Sequence, residues 1–476
     1  MTTDFDLVIQ HGTLVTAGDT IAADLGISRG RIAAQGRDLH GREVIDAEGL
    51  YVLPGAVDPH VHLQMDAFTA AGPTVTSDDW ATGTRAAACG GTTTVIDFVE
   101  PAPGESLAQA LEARRAQAEG RAAIDFALHM TLSRADDTTL AEVPALRRDG
   151  VTSFKTYTTY SGLKLSDDDL LRAFRAVSQS GGLVLTHAES DTLVAAATQA
   201  LLAQGRLSPG EFGRSRPAAA EAEALERVLA LADATGTPLY AVHISTEGGL
   251  AALQRARGRG QPAYGETCAQ YLWLTDAEYA RPGFEAARFV CAPPLRTADD
   301  GVALWRALAA SNLQTVGSDH CAFMAAGQKD LGFAGAGRPL PAFNEIPGGL
   351  PGVEARLALI YAGGVGAGRL SLNRWVEVCC TAPARLFGLY PRKGSLAPGA
   401  DADVVIFDPH RQVKLCTDLL HENVDYTPYD GLELTGWPVA TLVRGRVVMR
   451  DGRWVGGRPE GQFLHTEFPF QDAKVL

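Results

Sequence analysis

Two textures of hydrophobic and polar positions divide the chain. From residue 4 to about residue 53, short apolar or alternating stretches stand between glycines: Asp6 to Ile9, Gly12 to Val15, Ala23 to Ile27 and Tyr51 to Leu53. Period-two patterning bounded by turn residues predicts short strands, here half of a small β-sandwich. At Gly55 the texture changes to apolar strands alternating with alanine- and leucine-rich segments of helical length, the pattern of parallel β/α units. Eight strands are predicted: Ala56 to Leu63, Thr92 to Val99, Ile124 to Leu132, Ser153 to Thr159, Leu183 to Glu189, Pro238 to Ser245, Ala263 to Cys268 and Leu313 to Cys321. Between them, Ser106 to Gly120, Asp167 to Ser180, Ala218 to Thr235 and Thr297 to Ala310 read as helices, the last opened by a threonine that suits an N-cap. The expected fold is therefore α/β, a closed (β/α)8 TIM-like barrel.

Beyond the eighth strand, Gly327 to Gly352 is too long for a simple connection and reads as a functional loop. A helix is expected over Asn373 to Leu389. Short strands and turns return from Gly394 to Pro409 and from Gly445 to Val455, so the C-terminus is expected to complete the sandwich that the N-terminus begins. The alanine-rich tract Ala195 to Ala232 reads as helix with a loop around Pro209 to Pro217. The expected organisation is residues 1–54 for the first part of the sandwich, 55–390 for the barrel and 391–476 for the rest of the sandwich with a C-terminal oligomerisation segment.

Composition narrows the function classes. The 476 residues are 46% hydrophobic and 21% charged, ample for a large core. With 42 basic against 56 acidic side chains, the net charge is -14, and no lysine or arginine run tracks a phosphate backbone. Nucleic acid is not an expected partner. The N-terminus MTTDFDLVIQ lacks a basic start and apolar stretch, and no membrane-spanning run occurs, so a cytoplasmic protein is expected. Seven cysteines in apolar contexts, Cys379 and Cys380 among them, read as reduced, mostly buried thiols.

The candidate chemistry begins in GAVDPHVHLQ, Gly55 to Gln64. Side chains two apart on a strand share a face, so His60 and His62 can grip one metal ion together. Catalytic groups of a β/α barrel stand at the C-terminal ends of its strands. There the sequence places His60 and His62 on strand one, Lys155 in strand four, His187 on strand five, His243 on strand six and Asp319 on strand eight. His129, in the middle of a strand, reads as a hydrogen-bonded structural histidine, and His320 points away from the face of Asp319. Cys321 has no activating partner by spacing and reads as an inert thiol. Gly90, Gly91 and the cluster Gly363 to Gly368 read as turn makers without phosphate-loop spacing.

These residues resemble the cyclic amidohydrolases, and among them the hydantoinases and dihydropyrimidinases. The likeness runs through DPHVHLQ, GGTTTVIDF, SFKTYTTY, THAES, VHIST, ETCAQYL, VCAPPLR, VGSDHCAF and HENVDYTPYDG, essentially the whole chain. It implies two zinc ions per subunit, one held by His60, His62 and Asp319, the other by His187 and His243, with Lys155 carboxylated on its amine and shared between them. Elementary chemistry agrees: a zinc pair about 3.5–4 Å apart needs an anionic bridge, and a buried neutral lysine can capture carbon dioxide as a carbamate. The resemblance assigns Asp319 the proton transfers and Tyr160 a hydrogen bond to the carbonyl oxygen. It also implies a homo-oligomer, commonly a tetramer, with Asn423 to Gly431 taking part in contacts.

For the substrate, relatives acting on dihydroorotate carry an arginine where this chain has Gln64, which disfavours a carboxylate-bearing ring. The family reads the ring with backbone of two segments that match Cys291 to Pro293 and Pro347 to Gly349, usually with serine and asparagine where Ala292 and Gly348 stand here. Met65, Phe68 and Tyr157 are expected to form an apolar wall for a 5-substituent. The expected reaction opens a dihydropyrimidine or 5-substituted hydantoin to an N-carbamoyl amino acid. The alternatives are allantoinase, against which SDHCAF and ETCAQYL argue, and a non-catalytic assembly protein that has lost its metal ligands, whereas all six are present here.

Overall fold

The computed structural model describes residues 5–331 and 340–467. The residues that the sequence patterning made strands pair in parallel, and in chain order, into a single eight-stranded sheet. Its strands are Ala56–Val61, Thr92–Val99, Asp125–Thr131, Ser153–Tyr157, Leu183–His187, Leu239–Ala241, Ala263–Cys268 and Thr315–Gly317. All eight are buried along their length, as strands covered on both faces must be. Helices Leu107–Ala118, Asp167–Gln179, Ala218–Thr235 and Ala298–Ala309 form where they were expected. Ser106 and Thr297 cap two of them in capping boxes completed by Gln109 and Asp300. No helix among the described residues is long and apolar enough to cross a membrane.

Strands six and eight are much shorter than their apolar runs predicted, three residues each. The cause is local: His243 and Asp319 adopt positive φ of 38° and 50°, which turns the chain out of the ladder just beyond each strand. Likewise His62, Thr159 and Glu189 lie past the last ladder residue of their strands. The helix expected over Asn373 to Leu389 is continuous from Leu372 to Leu386 but carries a π-helical turn at Glu377–Thr381. The Pro209 to Pro217 stretch holds two short helical turns, Pro209–Glu211 and Phe212–Ser215. Of the loop expected over Gly327 to Gly352, residues 332–339 lie outside the described residues, as do 468–476 of the C-terminal segment.

Strands from both chain ends build two further sheets. Four N-terminal strands, Phe5–Gln10, Asp24–Ser28, Arg31–Gly36 and Gly41–Asp46, make one. In the other, Val404–Lys414 pairs with Tyr51–Pro54 on one side and Glu433–Val443 on the other. Leu7, Ile9 and Leu25 from the first sheet pack on Val52, Val404 and Leu442 from the second, the sandwich expected. A buried ion cluster joins this unit to the base of the barrel. Lys393 Nζ lies 2.6 Å from Asp125, the first residue of strand three, and 2.7 Å from Asp403.

The barrel closes through a narrow seam between strands one and eight, where the only ladder contact among the described residues is the Val61–His320 bridge. Asp58 completes it: one carboxylate oxygen accepts from Ser318 N at 3.0 Å, and the other lies 3.3 Å from Nε of the fully buried Arg356. Arg356 in turn donates to Val316 O at 2.8 Å and Thr92 Oγ1 at 3.2 Å. Removing one partner of a buried pair strands the other charge. Arg356→Met is therefore expected to destabilise the chain by about 3–5 kcal/mol in denaturant unfolding. The double variant with Asp58→Asn should recover part of that loss, and additive losses would contradict the pairing.

Candidate metal centre

At the C-terminal end of the barrel, six of the residues singled out in the sequence converge. His60, from strand one, and His62, just beyond it, bring their Nε2 atoms within 3.2 Å of each other. Asp319 Oδ1 lies 3.3 Å from His60 Nε2 and 3.4 Å from His62 Nε2. Three donors so spaced outline one face of a tetrahedron whose centre lies about 2.0–2.1 Å from each, the bond length of a zinc-type ion. Across the barrel, His187 Nδ1 and His243 Nε2 are 2.9 Å apart. The His60 and His243 rings link the two groups, with centroids 5.4 Å apart.

Tautomers point the same way. His60 Nδ1 is 2.7 Å from Glu266 Oε1 and His187 Nε2 is 2.7 Å from Glu189 Oε2, so each carboxylate accepts a hydrogen bond from the ring N–H, which leaves the inner nitrogen bare. Burial, with the neighbouring positive charges, holds His60 and His243 well below the usual imidazole range. Burial also lowers His187, against the pull of Glu189. Neutral imidazoles with inward lone pairs are what a metal ion requires. Burial pushes Asp319 up, but His60 and His62 outweigh it and keep the carboxyl below its ordinary value.

Lys155 stands between the groups, 1% exposed. Its Nζ lies 4.9 Å from the Phe98 ring centroid and 5.1 Å from that of Tyr157, and among the described residues it makes no ion pair or hydrogen bond. Burial pushes its ammonium down to about 8. A lysine in this state is readily neutral and nucleophilic.

The remaining expected residues line one cavity of about 1030 Å3 above these donors: Gln64, Met65, Phe68, Tyr157, Tyr160, Ala292 and Gly348. Phe68, on the hairpin Asp66–Thr69 and Gly72–Val75, is 82% exposed. Tyr160, at φ 75°, presents its ring 5.0 Å from His187, and the Arg216 guanidinium covers its other side at 4.9 Å. Burial pushes its hydroxyl far up, so it remains a donor at neutral pH. Gly348 faces Ala292, since a Cβ on Gly348 would lie 3.5 Å from that of Ala292. Gln64, Tyr160, His243 and Asp319 all hold the left-handed backbone, the strain that accumulates where side chains must be aimed.

Sequence reasoning gave no role to Glu266, Glu189 and Arg216. Glu266 sits within the quoted ETCAQYL but meets His60 from another strand, whereas Glu189 is two residues from His187 on the same face, a spacing that could have revealed it. Arg216 Nη1 binds Glu189 at 2.7 Å and thereby connects Tyr160 to His187. His129 is structural, bonded to Ser153 Oγ at 2.6 Å and Pro59 O at 3.0 Å, and His320 turns away to Asp78 at 3.1 Å. All seven cysteines are free, and burial raises the Cys321 thiol far above its ordinary value. One other ligand-type group, Cys89, Glu354 and His421, is explained by hydrogen bonds, as Glu354 accepts from His421 N at 2.6 Å and pairs with its Nδ1 at 2.8 Å.

A model of the amidohydrolase family matches residues 51–448. The chain is 43% identical to a D-hydantoinase from Streptomyces coelicolor over 464 residues, 96% of this chain and 97% of that one. It is 40% identical to a D-phenylhydantoinase from Escherichia coli O1:K1 / APEC over 469 residues, 98% of each. The crystal structure of a dihydropyrimidinase from Brevibacillus agri NCHU1002 superposes with a TM-score of 0.93 at 40% identity, covering 97% of this chain and 98% of that one. By the family match and by these near full-length likenesses, the chain belongs to the amidohydrolase family.

Proposed function

We propose that this chain is a metal-dependent hydrolase that opens a cyclic ureide at an amide C–N bond, converting 5-substituted hydantoins or dihydropyrimidines to N-carbamoyl amino acids. The observation that carries the reading is the convergence of four histidines and Asp319 around a buried Lys155, which has no ion pair among the described residues, at the floor of a substrate-sized cavity. The relatives named D-hydantoinase, D-phenylhydantoinase and dihydropyrimidinase support the ring class and the D enantiomer.

His60, His62 and Asp319 would hold one zinc ion, His187 and His243 a second, and Lys155, as its carbamate, both. When bound, such a pair lowers the pKa of water toward neutrality and polarises a carbonyl. Glu266 and Glu189 fix the ring orientations of His60 and His187. Asp319 takes the proton of the attacking water and returns it to the ring nitrogen as the C–N bond breaks. Tyr160 donates a hydrogen bond from its hydroxyl to the carbonyl oxygen as negative charge gathers there, and Arg216 steadies the Tyr160 ring. Backbone of Cys291 to Pro293 and Pro347 to Gly349 reads the ring edge, while Met65, Phe68 and Tyr157 receive the substituent. A homotetramer in the cytoplasm completes the proposal. Asn423 to Gly431 stays close to its own barrel, with Asn423 N donating to Asp78 at 3.0 Å, and would present its outer side to a neighbouring subunit.

Two measurements test this. Zinc-loaded protein in bicarbonate, assayed on dihydrouracil, hydantoin, phenylhydantoin, allantoin and dihydroorotate, is expected to open phenylhydantoin fastest, with a Lys155→Ala control inactive. Clear preference for unsubstituted dihydrouracil contradicts the apolar wall, and survival of every ring contradicts the ring class. Tyr160→Phe should lower kcat by on the order of 10²-fold with a smaller change in KM, because its hydrogen bond strengthens in the transition state. A change confined to KM would remove Tyr160 from that role.

A further inference from the structure

One carboxylate on the cavity wall takes no part in that chemistry. Glu100 follows strand two directly and lines the same cavity as the metal ligands. The buried acids around the site have cationic or imidazole partners: Glu189 has Arg216 and His187, Glu266 has His60, Asp97 has Arg114, and Asp58 has Arg356. Glu100, only partly buried, makes no ion pair among the described residues, and His62, Arg114 and Lys155 act on it from a greater distance. Its single hydrogen bond is a long one, 3.4 Å, from the Tyr157 hydroxyl to Oε1. Burial pushes its carboxyl above the ordinary value, as befits an acid short of partners.

Its position relative to the reacting centre is set by Tyr157. The hydroxyl of that residue meets Glu100, while its ring lies nearly parallel to His187 with centroids 5.8 Å apart. Glu100 therefore stands about one tyrosine side chain away from the donors that hold the scissile amide. Met65, Phe68 and Leu163 line the same cavity and offer apolar surface to whatever bridges that gap.

We infer that Glu100 is a specificity-determining residue, whose unengaged carboxylate oxygen receives the cationic end of a 5-substituent, an ammonium or guanidinium borne on a short apolar chain. This rests on the ring class proposed above. Glu100 is only partly buried, so its free oxygen faces the cavity, where a substrate ammonium can reach it and supply a charge-assisted hydrogen bond. A purely apolar substituent covers Glu100 and leaves it unpaired. Buried polar groups discriminate most strongly by this asymmetry.

The test compares aminobutylhydantoin with pentylhydantoin, nearly equal in length and differing in charge. Both are assayed for hydrolysis and titrated by calorimetry with wild-type, Glu100→Gln and Glu100→Leu proteins, their folding checked by circular dichroism. The wild type is expected to favour the aminobutyl ring, and both variants to lose at least about tenfold of that preference in kcat/KM and in Kd. A preference altered less than about twofold by both substitutions, or a wild type that binds the pentyl ring as tightly, overturns the role of Glu100. If the wild type opens neither ring, the functional reading fails, and the calorimetric preference still decides for or against Glu100.

Discussion

A buried lysine amine that has no ion pair or hydrogen bond among the described residues, set beside Phe98 and Tyr157 within the histidine cluster, is the constraint on which the site depends. Its ammonium is poorly solvated there and repels any cation that the histidines would bind. Neutralising it removes the first cost, and converting it to an anion removes the second. The polar groups of the barrel mouth are arranged to suit that outcome. Glu266 and Glu189 turn bare nitrogens inward, while Asp319 keeps its charge through its contacts with His60 and His62. With a free ammonium at Lys155, the same donor set would be a cluster of lone pairs facing one another across 2.9 to 3.4 Å.

The scaffold's task is to hold donors from distant parts of the chain at that spacing. His60 and Asp319 meet because strands one and eight close the barrel, and the closure relies on Asp58, Arg356 and one ladder bridge rather than on an extended run of backbone hydrogen bonds. The short ladder follows from function. His243 and Asp319 leave the strand conformation so that their side chains aim inward, which ends strands six and eight early. Buried side-chain pairs take over the work that the ladder gives up. At the opposite end of the barrel, Lys393 among Asp125, Asp401 and Asp403 binds the sandwich to the barrel base, where stability rather than chemistry is served.

Much of this was legible in the residue pattern. Apolar-rich stretches of strand length alternating with helical segments identified all eight barrel strands, and period two put His60 and His62 on one face. Thr92–Val99 and Ala263–Cys268 have their predicted limits because no site residue distorts them. Strands six and eight were overestimated because positive φ leaves no mark on hydrophobicity. The hairpin at Asp66 escaped notice because it is half exposed and mixed in composition. Arg31–Gly36 and Gly41–Asp46 were missed for the same reason. Glu266 and Arg216 act through partners distant in the chain, so no local spacing announces them, while the i, i+2 spacing of His187 and Glu189 was legible but was not used. Glu100 became conspicuous only when the buried acids around it proved to have cationic or imidazole partners.

The measurement that bears most directly on this account is a crystal structure of the protein prepared with zinc and bicarbonate, with anomalous data at the zinc edge. The account predicts two anomalous peaks about 3.5–4 Å apart between the two histidine groups, and density extending Lys155 by a planar carboxylate that touches both. A single peak beside an unmodified Lys155 amine would contradict it.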